Sequence, residues 1–168
     1  PATTAKAYRM AIDDYYEDKL DTDKYQYELE SLQNRGYTDA YLISRPFEKH
    51  DTQSLDFTMQ LGTHQVSGQV DENGTHFLCK YKTLPGDELE VHMPLGSKIE
   101  MVDNEIGTTY ERDGRVYLKF KQLKAQNGKI WESVHSGNVN PIELPVKMPQ
   151  YTFLRVPSHP DMGIYPKQ

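Results

Sequence analysis

Residues 66–93 read VSGQVDENGTHFLCKYKTLPGDELEVHM. Val66, Gly68 and Val70 recur at every second position, as do Phe77, Cys79 and Tyr81, which is the spacing of strands with one face to a core and one to water. Between the two runs, Asn73-Gly74 supplies residue types that readily take the positive φ values of a tight hairpin. Pro85-Gly86-Asp87 then turns the chain into Leu89, Val91 and Met93, alternating with Glu88, Glu90 and His92, and Pro94-Leu95-Gly96 closes that strand.

The same period extends on both sides. Upstream, Leu55, Phe57, Met59 and Leu61 alternate with Asp56, Thr58 and Gln60. Downstream come Ile99 with Met101, then Val116, Leu118 and Phe120 after Asp113-Gly114, then Ile130 and Val134 after Asn127-Gly128. Ile142, Leu144 and Val146, and then Tyr151, Phe153 and Leu154, lie among prolines and are expected to form closing edge strands, where proline is tolerated. Short strands joined by turn chemistry predict a small antiparallel β-barrel or sandwich. The first 35 residues have a different period. Tyr8, Ala11, Ile12, Tyr15 and Leu20 recur at helical spacing; after Asp21-Thr22-Asp23 a second helix places Tyr25, Leu29 and Leu32 on one side, with Gly36 as its stop. The expected architecture is mainly β: an αα lead-in over 1–35, a small antiparallel β-barrel over 36–156 and a proline-rich tail over 157–168.

Composition narrows the function. A chain of 168 residues does not hold two complete catalytic domains, and with 36% hydrophobic residues and 12 Tyr against one Trp and 5 Phe, its core is small and finished with amphipathic rings. The formal charge is −6, so bulk charge does not make it a polyanion binder; a nucleic-acid role has to be local. No run of about 18 apolar residues occurs, and PATTAKAYRM lacks the layout of a secretory signal. A soluble protein without membrane partners is expected. One cysteine, Cys79, excludes an internal disulfide or a thiolate-rich metal site and points to a reducing, cytoplasmic setting.

Most catalytic chemistry fails on inspection. His50, His64, His76, His92, His135 and His159 are scattered, none at metal-pair spacing, and His76 and His92 are expected to be exposed strand residues. Cys79 falls on an inward face, where a thiol is usually an inert hydrophobe. No glycine-rich phosphate loop is present, and Glu88 and Glu90 are expected in solvent. No metal, cofactor or catalytic residue is therefore assigned. One segment stands out: Arg112, Arg115, Lys119, Lys121, Lys124 and Lys129 face one acid, Asp113, a local +5 in an acidic chain. With Val116, Leu118 and Phe120 inward, Arg115, Tyr117, Lys119 and Lys121 line the outside, joining phosphate-pairing charge to a stackable ring. Arg115, Tyr117, Lys119, Lys121 and Lys124 are the candidate nucleic-acid contacts; a solvated strand whose lysines prevent edge-to-edge aggregation fits the same residues.

Several segments in order, AYRMAIDDYY (7–16), ELESLQNRGYTDAYLI (28–43), PGDELEV (85–91) and FLRVP (153–157), resemble the C-terminal part of the collagenase-like peptidase family U32. Arg35, Tyr37 and Thr38 match that family's S-H-R-x-Y-T-T-G-F-Y motif, while Asn34 stands for its His and Asp39-Ala40-Tyr41 for Thr-Gly-Phe; where members carry E-x-R-N-x-F, this chain has Lys80-Tyr81-Lys82-Thr83-Leu84. The resemblance implies a catalytic barrel upstream, with the residues taken to bind metal or cluster, so this stretch alone is not an enzyme. It implies an accessory, substrate-binding domain, with a structural lid or protein-interaction module of a peptidase as the alternative. Members are named peptidases, collagenases or RNA-hydroxylation proteins, and the basic strand favours tRNA or rRNA as the partner. Tyr8, Ile12, Tyr15 and Tyr16, whose side chains exceed what two short helices bury between them, are the expected docking surface for the upstream barrel.

Overall fold

The computed structural model describes residues 2–32, 62–137 and 140–157. The chain divides into two compact units, Pro1–Gln65 with Pro157–Gln168, and Val66–Val156. The expected strand over Leu55–Leu61, the Gly36 stop, the Arg35–Tyr41 motif and most of the proline-rich tail lie outside the described residues.

The lead-in is two helices, α1 (Ala2–Tyr16) and α2 (Thr22–Glu30). Asp21 caps α2 by accepting the Lys24 amide at 3.4 Å. Tyr25 is the buried anchor of α2; its hydroxyl donates to Asp14 at 2.6 Å, and Lys24 reaches the same carboxylate at 3.1 Å. These two contacts hold Asp14 below the usual carboxylate range. The small residues Thr3 and Ala7 are the buried positions of α1, which leaves Tyr8, Ile12, Tyr15 and Tyr16 exposed along the helix.

The expected antiparallel β architecture is present as a curled seven-strand sheet. Its strands are β1 (His64–Val70), β2 (His76–Cys79), β3 (Glu88–His92), β4 (Gly107–Arg112), β5 (Arg115–Phe120), β8 (Ile142–Glu143) and β9 (Phe153–Pro157), in the order β4-β5-β3-β9-β1-β2-β8. A hairpin of β6 (Leu123–Lys124) and β7 (Ile130–Trp131) adjoins the β8 edge through an Ala125–Ile142 bridge. The curl brings the inner faces of distant strands together: Phe77 of β2 and Phe120 of β5, both fully buried, have ring centroids 5.8 Å apart. Leu89, Leu118, Leu123, Val134, Ile142 and Leu154 complete this core.

Several positions depart from strict alternation, each for a local reason. Val66 is exposed and Ser67 is buried, because the amides of Lys80 and Tyr81 both bond the Ser67 carbonyl, a bulge-like doubling that shifts the pattern; Ser67 then bonds Thr83 at 3.0 Å. Ile99 and Met101 form no strand. The Thr109 hydroxyl instead accepts the Val102 amide at 2.8 Å and donates to the Glu100 carbonyl at 3.1 Å, in place of a ladder. Ile130 faces out, since the Leu123–Trp131 pair takes the inner side of its hairpin. β9 is not an edge strand: it lies between β3 and β1, as its proline falls at its last residue, Pro157. Tyr151 precedes β9 in a turn.

Candidate nucleic-acid interface

Strand register decides which side chains share the outer face. Tyr110 of β4 lies opposite Tyr117 of β5, which lies opposite Glu90 of β3, which lies opposite Arg155 of β9. In the next rows Lys119 pairs with Thr108 and Glu88, and Arg115 with Arg112. Leu118 and Phe120 point into the core, so the inward and outward faces of β5 fall as its sequence predicts.

The candidate cations are largely engaged by acids from other segments. Arg115 meets Glu90 at 3.1 Å, Lys124 meets Glu143 at 3.0 Å, and Lys121 is paired with Asp103. Arg112 bonds Glu88 at 2.6 Å and sets its guanidinium 4.3 Å over the Tyr117 ring. Tyr117 is also stacked on Tyr110, with centroids 5.7 Å apart. Its ring is therefore packed by protein groups. Lys119 is exposed and forms no ion pair among the described residues. The face formed by β4, β5, β3 and β9 thus carries Arg112, Arg115, Lys119 and Arg155 against Glu88 and Glu90, a modest positive excess.

Two carboxylates organise this face. The Tyr110 hydroxyl donates to Glu88, and this bond, with the Arg112 contacts, holds the Glu88 carboxyl below its ordinary value against a weaker effect of burial; burial and the Glu88 contact push the Tyr110 phenol up to about 12. Glu90 was expected in solvent but is buried, 5% exposed, beside Arg155, 3% exposed. Arg155 reaches it with two bonds, Nε to Oε2 at 3.0 Å and Nη2 to Oε1 at 2.8 Å. Burial raises the Glu90 carboxyl, but the Arg155 hydrogen bonds and the charges of Arg155 and Arg115 outweigh it and leave it lowered. The fork geometry makes this burial tolerable: a guanidinium supplies paired donors that replace water at both carboxylate oxygens. His92 is likewise buried rather than exposed, stacked against Phe153 with centroids 4.5 Å apart, and separated from β2 and His76 by β9 and β1.

Other chemistries find no assembled site. No group of three or more His, Cys, Asp or Glu is placed to hold a metal among the described residues. Cys79 donates to the Tyr81 carbonyl at 2.8 Å, and burial pushes its thiol pKa up, away from the thiolate a nucleophile needs. No helix among the described residues is long and apolar enough to cross a membrane.

The fold and this face describe a two-helix lead-in followed by a curled antiparallel sheet with a polar, cross-linked outer surface. Peptidase family U32 matches residues 1–52. The tRNA hydroxylation protein P of Helicobacter pylori strain 26695 is 40% identical over 154 residues, 92% of this chain and 36% of that protein, and the protein of the same name from strain J99 is also 40% identical over the same share. The tRNA hydroxylation protein P of Haemophilus influenzae is 31% identical over 117 residues, 66% of this chain and 25% of its own. The chain belongs to the U32 family. It spans about a third of the length of the Helicobacter relatives it matches. No solved structure matches it.

Proposed function

We propose that this chain is a non-catalytic accessory domain of a U32-family tRNA-modifying protein, and that its outer β face contacts the RNA backbone. The reading is carried by the cation-rich face of β4 and β5 in a chain whose relatives, similar over 92% of its length, are named for tRNA hydroxylation. Arg115, Tyr117, Lys119, Lys121 and Lys124 are the proposed contacts, with Lys119 the leading cation because no ion pair among the described residues holds it, although its charge acts on Glu88 opposite. A domain with this role is expected in the cytoplasm. Titration of the chain with unfractionated tRNA tests this: affinity is expected to fall steeply with salt, and Lys119→Glu with Lys121→Glu to reduce the salt slope by about one for each lysine. Unchanged binding by the double variant would remove the basic strand from the site.

The exposed row on α1 favours a second role alongside the first, docking to a catalytic barrel of the same protein. Ile12 is 49% exposed and Tyr16 83%, and with Tyr8 and Tyr15 they recur at helical spacing, the kind of exposed apolar group that marks interaction sites. Co-purification of such a barrel with the chain, lost on Tyr8→Ser with Tyr15→Ser, is the expected result.

A further inference from the structure

The stackable ring that Tyr117 does not offer is present at Tyr151. Three non-glycine residues among those described have positive φ: Asp18, Asp113 and Tyr151. Aspartate visits that region with little penalty, because its short side chain bonds the local backbone; a tyrosine at φ +66 pays the full Cβ clash. Tyr151 is also 78% exposed, and its side chain makes no hydrogen bond, ion pair or ring contact among the described residues. No such contact among the described residues offsets that strain.

The turn that presents it is firmly anchored. The Thr152 amide donates to the Pro149 carbonyl at 3.3 Å, the Thr152 carbonyl accepts the Val70 amide at 2.9 Å, and the Met148 amide donates to the Gly74 carbonyl at 2.8 Å. Met148 and Thr152 are both buried. Gly74 sits so close that a Cβ there would stand 2.1 Å from the Met148 carbonyl oxygen, so the hairpin tip and the Tyr151 turn form one packed end. The Thr152 hydroxyl is buried and has no hydrogen-bond partner among the described residues. Strain at one residue and an orphaned hydroxyl at the next are both costs that glycine and valine would remove, and they persist in the turn that displays the ring.

We propose that Tyr151 is a stacking platform for an unpaired base of the bound RNA. The inference rests on the RNA reading above and moves base recognition away from Tyr117, whose ring is packed between Tyr110 and Arg112. A nucleobase suits the site better than a protein side chain. An aromatic anchor in a protein interface fills a pocket enclosed by contacts that exclude water, whereas this ring stands out from a turn between the exposed Gln150 and the fully buried Thr152. Of the two charges within five positions of Tyr151, Lys147 and Arg155, the second is buried against Glu90, so stacking rather than phosphate attraction is the main contribution here.

Fluorescence anisotropy of the chain with a labelled oligouridine strand and with a blunt RNA duplex tests the proposal. Tyr151→Gly is expected to weaken binding of the single strand by about 5- to 150-fold, the loss of one stacked base, and to leave the duplex unchanged. Tyr151→Phe keeps the ring and should bind within about twofold of the parent. The loss should be the same fold at low and high salt. The melting temperature of Tyr151→Gly should not fall, because glycine relaxes the positive φ. Equal binding of the single strand by parent and Tyr151→Gly overturns the platform and leaves the RNA reading standing. Equal weakening of strand and duplex also overturns it, by showing a general effect. If the parent binds neither RNA, the platform and the RNA reading fall together.

Discussion

Replacing Glu90 with Gln keeps the shape of the side chain and removes its charge. Arg155, 3% exposed, then loses the anion that its two bonds address, and Arg115 loses the carboxylate at 3.1 Å. Breaking a buried pair by removing one partner costs about 3–5 kcal/mol, most of it from the uncompensated charge. The unit Val66–Val156 has about 90 residues, so its unfolding entropy is about 0.19 kcal/mol/K and the expected loss of melting temperature is about 15–25 °C. Trp131, the single tryptophan, lies in β7 of this unit, so its fluorescence in a urea or thermal titration reports on the unit. Arg115 is partly exposed and can turn its charge to water, whereas Arg155 cannot. The double variant Glu90→Leu with Arg155→Met should therefore regain at least half of what Glu90→Gln loses, since similar-sized apolar groups replace both ions. A loss below about 1 kcal/mol for Glu90→Gln, or a double variant no more stable than the single one, would refute the reasoning that the pair is a buried clamp.

Two further outcomes concern acid stability and packing. Glu88 and Glu90 have folded-state pKa values below their ordinary ones, so their contribution to stability is complete above the unfolded carboxylate pKa and is lost as pH falls through the folded value; the urea midpoint should hold from neutral pH to about pH 5 and drop below it, and Glu90→Gln should flatten that drop. Gly68→Ala would place a Cβ 2.4 Å from the Leu78 carbonyl oxygen and 2.4 Å from the Phe77 ring, and should cost about 1–3 kcal/mol or more by urea titration, whereas alanine at Gly86, with nothing within 4 Å, meets only the strain of its positive φ.

The strands written in Val, Leu, Ile and Phe at every second position were legible because burial of one face alone fixes their register. Leu89, Val91, Leu118, Phe120 and Ile142 all face the core as their spacing implies. β4 was not legible. Its sequence, GTTYER, has no apolar alternation, and its inner side is completed by Thr109, 3% exposed, which bonds the preceding loop. Glu90 and His92 were misplaced for a related reason. Their partners, Arg155 and Phe153, arrive from β9, more than sixty positions later in the chain. A polar residue reads as solvent-facing until the strand that buries it is known, and strand order in a curled sheet is not a local property. The same distance in sequence separates Gly74 from the Met148 turn that makes Tyr151 stand out.

Charge shows what non-local pairing does to function. Six cations between Arg112 and Lys129 form a sequence-local excess, yet Glu88, Glu90, Asp103 and Glu143 meet four of them in space. A phosphate approaching β5 finds Lys119 available at once, while Arg112 is already held by a carboxylate and a tyrosine ring. Each engaged cation contributes less than a free one, because an existing bond has to be shared or broken. If the face contacts RNA as proposed, its expected contribution by itself is weak, sequence-independent binding in the range of about 10⁻⁴–10⁻⁶ M. Such affinity is sufficient for a domain tethered to a catalytic partner, where effective concentrations reach the millimolar range and the tether supplies what the contacts lack. On the proposed reading the paired cations would serve a second end: a surface half-neutralised by its own acids would hold RNA weakly enough to let it go, as an accessory domain of a modifying protein would need.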